Sequence, residues 1–368
     1  MKICFLTHNL ALDNGSGRFS SEFIGQIRKL PGVETEVFVR EPADIPGVLP
    51  LSNYRALVSA VRGCDLIHVL DGFPYAIIAF IFSILFWKKY MVTLIGTGSV
   101  KPFYSWRYPL MFVSYVFAAR LVSISSYTRD QVRWIIPILP VEVVTLGIDY
   151  GKFSQRPQLS DFQRQNIGKL RPYLLSVGLL KPRKGYEDAL AAFARVAGKF
   201  PDLSLVIVGK SGSRSSLPGK PSGGHKEKLI DRARNLGIEK RVTFLTDVTD
   251  DKMLAALYQN AELFILLPRD VGHDFEGFGL VFLEAAAAGL PVVGSREGGA
   301  SDAMRNNENG FLVDGRNHQQ VAEMLEKLLT SSELRDKFSK ASRIFAASQN
   351  WEKVREAYKK IYDNIVRK

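Results

Sequence analysis

The chain has 368 residues, 46% of them hydrophobic and 23% charged, a globular composition that excludes disordered and collagen-like classes. Its two cysteines, Cys4 and Cys64, exclude a disulfide framework and any multi-cysteine zinc module, and their apolar surroundings suit free thiols in a reducing cytoplasm. Lys and Arg number 49 against 37 Asp and Glu, and the resulting charge of +12 asks for an acidic partner: nucleic acid, anionic lipid or a phosphorylated substrate.

At roughly 150 residues per domain the length predicts two domains. Residues 2–8 read as a strand that starts almost at Met1, so no signal peptide is expected. A helix is expected over 18–30, followed by strands at 35–40 and 65–70. Residues 73–87 (FPYAIIAFIFSILFW) carry no charge and are followed by Lys88-Lys89. Fifteen helical residues span about 22 Å, short of the ~30 Å hydrocarbon core, so a membrane crossing is disfavoured. A core helix and a helix lying against a bilayer both fit. Strands then follow at 90–95, 120–125 and 141–146, with a helix over 104–119.

Residues 150–172 are polar, contain two prolines and read as an interdomain linker. Strand-like runs resume at 173–180, 203–209, 241–246, 261–267 and 291–295. Residues 210–226, rich in Ser, Gly, Pro and Lys, read as a surface loop, and 351–368 as a terminal amphipathic helix. Near-continuous apolar strands with helical crossovers predict an α/β chain built on parallel sheets. The domains expected are 1–165 and 166–350.

The segment Glu276-Gly277-Phe278-Gly279-Leu280 through Glu284, Ala285–Ala288, Gly289 and Pro291 follows an apolar strand and opens a helix. Gly277 and Gly279 let backbone N–H groups approach a ligand, and the helix N-terminus favours an anion such as a diphosphate. Glu284, on an otherwise apolar helix, needs hydrogen-bond donors that ribose hydroxyls could supply. After the strand at 173–180, Gly178 precedes Lys181, Arg183 and Lys184, paired cations suited to a diphosphate. Asp13-Asn-Gly15-Ser-Gly17 departs from the dinucleotide fingerprint, with Ser20 at the third glycine position, which disfavours a nicotinamide oxidoreductase. His68 reads as a satisfied strand residue, and His273 has an open role in a polar loop. Five histidines without zinc-site spacing, and cations without a recognisable nucleic-acid module, disfavour a metal site and a nucleic-acid partner.

These segments resemble family 4 glycosyltransferases, retaining enzymes of the two-domain GT-B fold. The resemblance covers most of the chain and is densest from Tyr173 to Asp314. It rests on the Glu-x7-Glu pair Glu276 and Glu284, on Gly298-Gly299, and on Asn309-Gly310-Phe311-Leu312-Val313. It implies two Rossmann-like domains facing across a cleft, with the terminal helix from Trp351 crossing back to the first. The first domain would take the acceptor and the second the nucleotide-sugar donor. By the same resemblance Arg183 and Lys184 grip the donor diphosphate, Glu276 the sugar and Glu284 the ribose. Gly178, Gly277, Phe278, Gly279 and Leu280 would complete the donor site, with Gly15 and Gly17 closing over the phosphates. Three positions depart from the family pattern: Leu179 where many relatives have Arg, Ile95 where many have a histidine, and Leu146 for a usual Asn.

The resemblance implies a retaining, hexosyltransferase-type enzyme with no cofactor and no metal. The excess of apolar, aromatic-rich sequence at 73–87, 104–119 and 134–140, in the expected acceptor domain, suggests a glycan or lipid-linked acceptor, as in cell-surface polysaccharide or lipopolysaccharide assembly. The alternative, motivated by Ile95 and Leu179, is a catalytically lapsed nucleotide-sugar-binding or partner protein of the same fold. Apolar, aromatic-rich runs in the first domain add an anionic membrane surface as an expected partner, with a cytoplasmic chain peripheral to the inner face of the membrane.

Overall fold

The computed structural model describes residues 1–12, 15–41, 45–170, 172–210, 224–248 and 250–367, the side chain of Phe162 excepted. The chain forms two compact units, 1–147 with 351–368, and 148–350.

Among the described residues the first unit holds seven parallel strands: β1 (Lys2–Thr7), β2 (Glu34–Val39), β3 (Val48–Pro50), β4 (Leu66–Leu70), β5 (Tyr90–Leu94), β6 (Arg120–Ser123) and β7 (Val141–Val143). Their order is β3-β2-β1-β4-β5-β6-β7. The strands β4 and β5 are buried along their whole length, as expected of a parallel sheet covered on both faces. Each fully buried aliphatic or aromatic side chain in such a layer contributes roughly 1.5–3 kcal/mol.

The terminal helix Trp351–Arg367 belongs to this unit and buries Trp351, Val354, Tyr358, Ile361, Tyr362 and Ile365, its three-to-four-spaced stripe. His68 on β4 locks it in place. One ring nitrogen lies 2.8 Å from Tyr362 Oη and the other 2.8 Å from Thr93 Oγ1. Burial holds this imidazole neutral, with its pKa pushed down to about 3.

The second unit holds β8 (Tyr173–Val177), β9 (Ser204–Val208), β10 (Val242–Leu245), β11 (Leu263–Leu266), β12 (Val292–Ser295) and β13 (Gly310–Val313). Their order, β10-β9-β8-β11-β12-β13, is that of a doubly wound dinucleotide-binding sheet. β8 and β11 are parallel neighbours, with Leu263 opposite Leu174, so the loops that leave them emerge at one edge. The chain turns to opposite sides of the sheet at this pair, which makes that edge the topological switch point.

Several expectations shift. The stretch expected as a linker, 150–172, folds into the helices Tyr150–Ser154 and Asp161–Gly168 of the second unit. Asp149 caps the first, and a Ser160–Gln163 capping box starts the second. The compact units accordingly divide after Gly147, ahead of the 165/166 boundary read from composition. The helix expected over 104–119 is a short turn, Lys101–Tyr104, and then a helix, Tyr108–Val116, because Pro109 suits a first helical turn and no interior position. Of the expected loop at 210–226, residues 211–223 lie outside the described residues, and 224–226 open the helix Gly224–Asn235. Asp13 and Asn14 are likewise outside them.

Candidate active site

The site is built where β8 and β11 end. After β8, Gly178 takes φ +147°, and a β-carbon there would stand 3.2 Å from Lys184 Cε and from Tyr186 Oη. Tyr186 Oη donates to the Gly178 carbonyl at 2.6 Å, which fixes this turn against the next helix. A short helical turn, Pro182–Lys184, follows and ends at Gly185 in the left-handed region, φ +67°. A β-carbon at Gly185 would strike the Leu267 carbonyl, so only glycine lets the turn lie this close to the end of β11.

After β11 the chain runs to Glu276 and into the helix Leu280–Ala288, capped at its start by Gly279 (φ +83°) and at its end by Gly289 (φ +85°). From Phe282 to Ala288 this helix is buried on every face, and its alanines let it pack against the helix Ser332–Ser348. The Gly298-Gly299 pair holds the Glu276 loop from the other side. Gly299 N–H donates to the Glu276 carbonyl at 2.8 Å, and a β-carbon at Gly298 would lie 3.0 Å from Glu276 Cβ.

The two loops bring three ionisable groups together. Glu276 Oε2 accepts from Arg183 Nη1 at 2.5 Å and from Lys184 Nζ at 2.7 Å. Burial works against the Glu276 carboxylate, but the two cations outweigh it and hold its pKa down to about 2. Burial lowers the Lys184 ammonium, with Glu276 opposing, whereas Glu276 and Asp274 together raise Arg183 against its own burial. A buried cationic pair beside a glycine turn can receive a diphosphate, and the carboxylate beside it can receive sugar hydroxyls.

Glu284, the fifth residue of its helix, is 3% exposed, and Tyr258 Oη donates to it at 2.8 Å. Leu280 lies one turn earlier on the same face and is partly exposed. The Phe278 side chain is buried. Gly277 is partly exposed at the loop. Leu179 is partly exposed and supplies no charge. His273 is exposed.

In the first unit, Gly15 opens the helix Gly15–Ile27 with free space where a β-carbon would be. Gly17 is buried, and its β-carbon would collide with Asn9 and with the Ala11 backbone, so packing alone explains this glycine. Ile95 directly follows β5, its N–H held by Ser99 Oγ at 3.1 Å. Among the described residues no group of three or more His, Cys, Asp or Glu is placed to hold a metal ion.

Sequence reasoning missed three second-unit residues. Arg269 ties the two loops together: its N–H donates to the Arg183 carbonyl at 2.9 Å, and its guanidinium reaches Asp188 at 3.1 Å and Glu187 at 3.3 Å. Asp274 Oδ1 lies 3.3 Å from Arg183 Nε. Tyr258 is the third. Each sits on a different element from its partner, and nothing in local spacing points to it. In the first unit Asp71 was also missed. It takes φ +82° after β4 and accepts from Ser99 Oγ at 2.7 Å, and burial raises its carboxyl. Its Asp-Gly step was the available signal.

Two doubly wound units in this order, with paired cations and a glutamate at the switch point of the second, define a GT-B glycosyltransferase architecture. The family model "Glycosyl transferases group 1" matches residues 158–345, and the chain belongs to that family. It is 31% identical over 233 residues to a GDP-mannose-dependent alpha-(1-6)-phosphatidylinositol monomannoside mannosyltransferase of Mycobacterium tuberculosis (strain CDC 1551 / Oshkosh). That alignment covers 62% of this chain and 55% of the relative, so the chain matches about half the length of that protein. The fold is similar to sucrose-phosphate synthase from Thermosynechococcus elongatus, with a TM-score of 0.76, 19% identity and 99% of each chain covered. It is also similar to Anabaena Alr3699/HepE in complex with UDP-glucose, with a TM-score of 0.76, 19% identity, and 99% of this chain and 100% of that one covered.

Proposed function

We propose that the chain is a family 4 retaining glycosyltransferase that transfers a hexose from a nucleotide-diphosphate sugar to a glycan or lipid-linked acceptor. The observation that carries this reading is the buried Arg183–Lys184–Glu276 cluster at the switch point of the second sheet. Arg183 and Lys184 hold the donor diphosphate, Glu276 the sugar hydroxyls, and Glu284 of the Glu-x7-Glu pair the ribose. The acceptor belongs to the first unit, and cell-surface polysaccharide or lipopolysaccharide assembly is the setting that its apolar, aromatic-rich runs support.

In the proposed reaction the bond from the sugar anomeric carbon to the diphosphate oxygen breaks, and an acceptor oxygen bonds to that carbon on the same face. The acceptor proton passes to the departing diphosphate. Arg183 and Lys184 stabilise the charge that grows on that group, work that requires neither cofactor nor metal.

The test is a panel of UDP-, GDP- and ADP-hexoses, read by thermal shift and by transfer to lipid-linked and soluble glycan acceptors. Stabilisation by one donor together with turnover in the presence of EDTA is expected. Stabilisation without transfer or hydrolysis would assign the chain to a binding protein with a lapsed site, and no stabilisation by any donor would overturn the reading.

A further inference from the structure

The helix Tyr75–Phe86 has no charged residue, yet it buries only Tyr75, Ala76 and Ala79. Its opposite side presents Ile81, Ile84 and Leu85 at three-to-four spacing, with Ile84 60% and Leu85 61% exposed. A soluble helix ordinarily turns a polar face to water, and this one turns an aliphatic stripe. At its end Trp87 is 94% exposed and adopts φ +54°, ψ +40°, left-handed backbone that glycine or asparagine fills with less strain. Folding gains nothing from a tryptophan at that position, neither burial nor easy backbone.

The helix Tyr108–Val116 packs beside it and extends the face. Phe117 is exposed and lies 5.7 Å, ring to ring, from Phe80; Tyr108, Leu110 and Val116 are exposed as well. No helix here is long and apolar enough to cross a membrane, among the described residues. Twelve helical residues reach about 18 Å.

The sequence that carries this face has charge of one sign. Between Asp71 and Asp130 the sequence contains no acidic residue, whereas Lys88, Lys89, Lys101, Arg107, Arg120 and Arg129 all fall there, of which Arg129 is paired with Asp130. Lys88 and Lys89, at the end of the aliphatic helix, donate to the backbone carbonyls of Cys64 and Ile365 at 2.9 and 2.8 Å, so these contacts leave their charge unneutralised. Exposed Arg62 covers the Phe86 ring at 4.9 Å. Aliphatic side chains, a tryptophan at their edge and flanking cations match the layers of an anionic bilayer surface: acyl chains, interface and headgroups.

We propose that the outer face of the helices Tyr75–Phe86 and Tyr108–Val116 docks flat onto an anionic lipid bilayer, with Ile81, Ile84, Leu85 and Phe117 entering the acyl boundary and Trp87 anchoring at the interface. The face belongs to the first unit alone, so the proposal stands independently of the donor reading.

The test is co-sedimentation of the full chain with vesicles of phosphatidylglycerol and phosphatidylcholine, and with phosphatidylcholine alone, at low salt and at about 0.15 M salt. Binding to the anionic vesicles that weakens with salt is expected. The triple variant Ile84→Ser, Leu85→Ser, Trp87→Asn removes exposed groups only, so its melting temperature should hold or rise while vesicle binding falls at least about tenfold. Lys101→Glu with Arg107→Glu should abolish the preference for phosphatidylglycerol. No binding to anionic vesicles at low salt, or binding the triple variant retains, would overturn the proposal. So would a dimer in solution that the triple variant converts to monomer without a change in vesicle binding, an outcome that assigns the face to a second copy of the chain.

Discussion

Lys184 Nζ stands 2.7 Å from Glu276 Oε2, with only 9% and 11% of the two side chains exposed. Removing one member of a buried pair leaves the other uncompensated, a loss of about 3 kcal/mol or more. Glu276→Ala should therefore destabilise the ligand-free protein by about that amount as well as lowering transfer at least about a hundredfold. Lys184, and Arg183 with only Asp274 beside it, then accept a diphosphate without first giving up Glu276. Inorganic pyrophosphate should raise the melting temperature of the variant more than that of the wild type. A ligand-free variant as stable as the wild type would contradict the buried-pair account.

The same pair predicts a dependence on acid. Glu276 has its pKa lowered from 4.5 to about 2 in the folded chain, so its stabilising effect is complete above 4.5 and fades as pH falls toward 2. By pH 3.5 about 1.4 kcal/mol of it should be gone. Urea unfolding of wild type and Glu276→Gln should show their stability difference shrinking by that amount between pH 6 and pH 3.5. A constant difference would mean that Glu276 titrates normally.

The parallel-sheet architecture was legible because strands such as β4 and β5 are apolar throughout and are separated by helical periods. Two of the four edge strands, β3 and β13, were not. Val48–Pro50 is three residues ending in proline, and Gly310–Val313 is four opening on glycine, so each is too short and too interrupted to stand out as a strand. The helix Asp161–Gly168 was misread as linker because it is mostly polar, with too few apolar residues to show a helical period, although Ser160 and Gln163 spell its capping box. At the site, Glu276, Arg183 and Lys184 could be named from motifs, since glycines and a helix start mark their loops. Their mutual pairing, and the Arg269 brace behind it, depend on the register of β8 with β11, which no single segment encodes.

His68 gives the first unit its own pH sensitivity. Burial depresses its folded pKa to about 3 from 6.5, so the unfolded chain takes up this proton first and stability falls as pH drops below 6.5. Between pH 8 and pH 5 the loss should reach about 2 kcal/mol. His68→Asn lacks that proton, and its stability deficit relative to wild type should narrow by the same amount. Hydrogen exchange in the helix Trp351–Arg367, which His68 holds through Tyr362, should report the change. A deficit that stays constant from pH 8 to pH 5 would refute a neutral buried imidazole.

Gly298 combines φ +72° with a β-carbon position 3.0 Å from Glu276 Cβ and from the Glu276 carbonyl. Gly298→Ala should cost about 1–3 kcal/mol and displace Glu276, lowering transfer on the order of a hundredfold. Gly198→Ala is the control in the same unit. Its φ is −65° and nothing lies within 4 Å of the new methyl, so it should be neutral or stabilising by up to about 1 kcal/mol. Equal effects from the two substitutions would show that the Gly298 contact with Glu276 does not matter.

Tyr258 separates donor binding from turnover. Its ring packs against Phe153 and Phe264, with centroids 5.7 and 5.8 Å away, and its hydroxyl donates to Glu284 at 2.8 Å. Tyr258→Phe keeps the packing and removes only that donor, which for a charged acceptor costs roughly 1.5–3 kcal/mol. Glu284 is proposed to hold the ribose in both ground and transition states, so loosening it should weaken binding uniformly. Steady-state kinetics should then show donor KM rising about tenfold with kcat nearly unchanged, and Glu284→Ala should exaggerate the same pattern. A fall in kcat at constant KM would instead place Tyr258 and Glu284 on the reacting end of the donor and remove the ribose assignment.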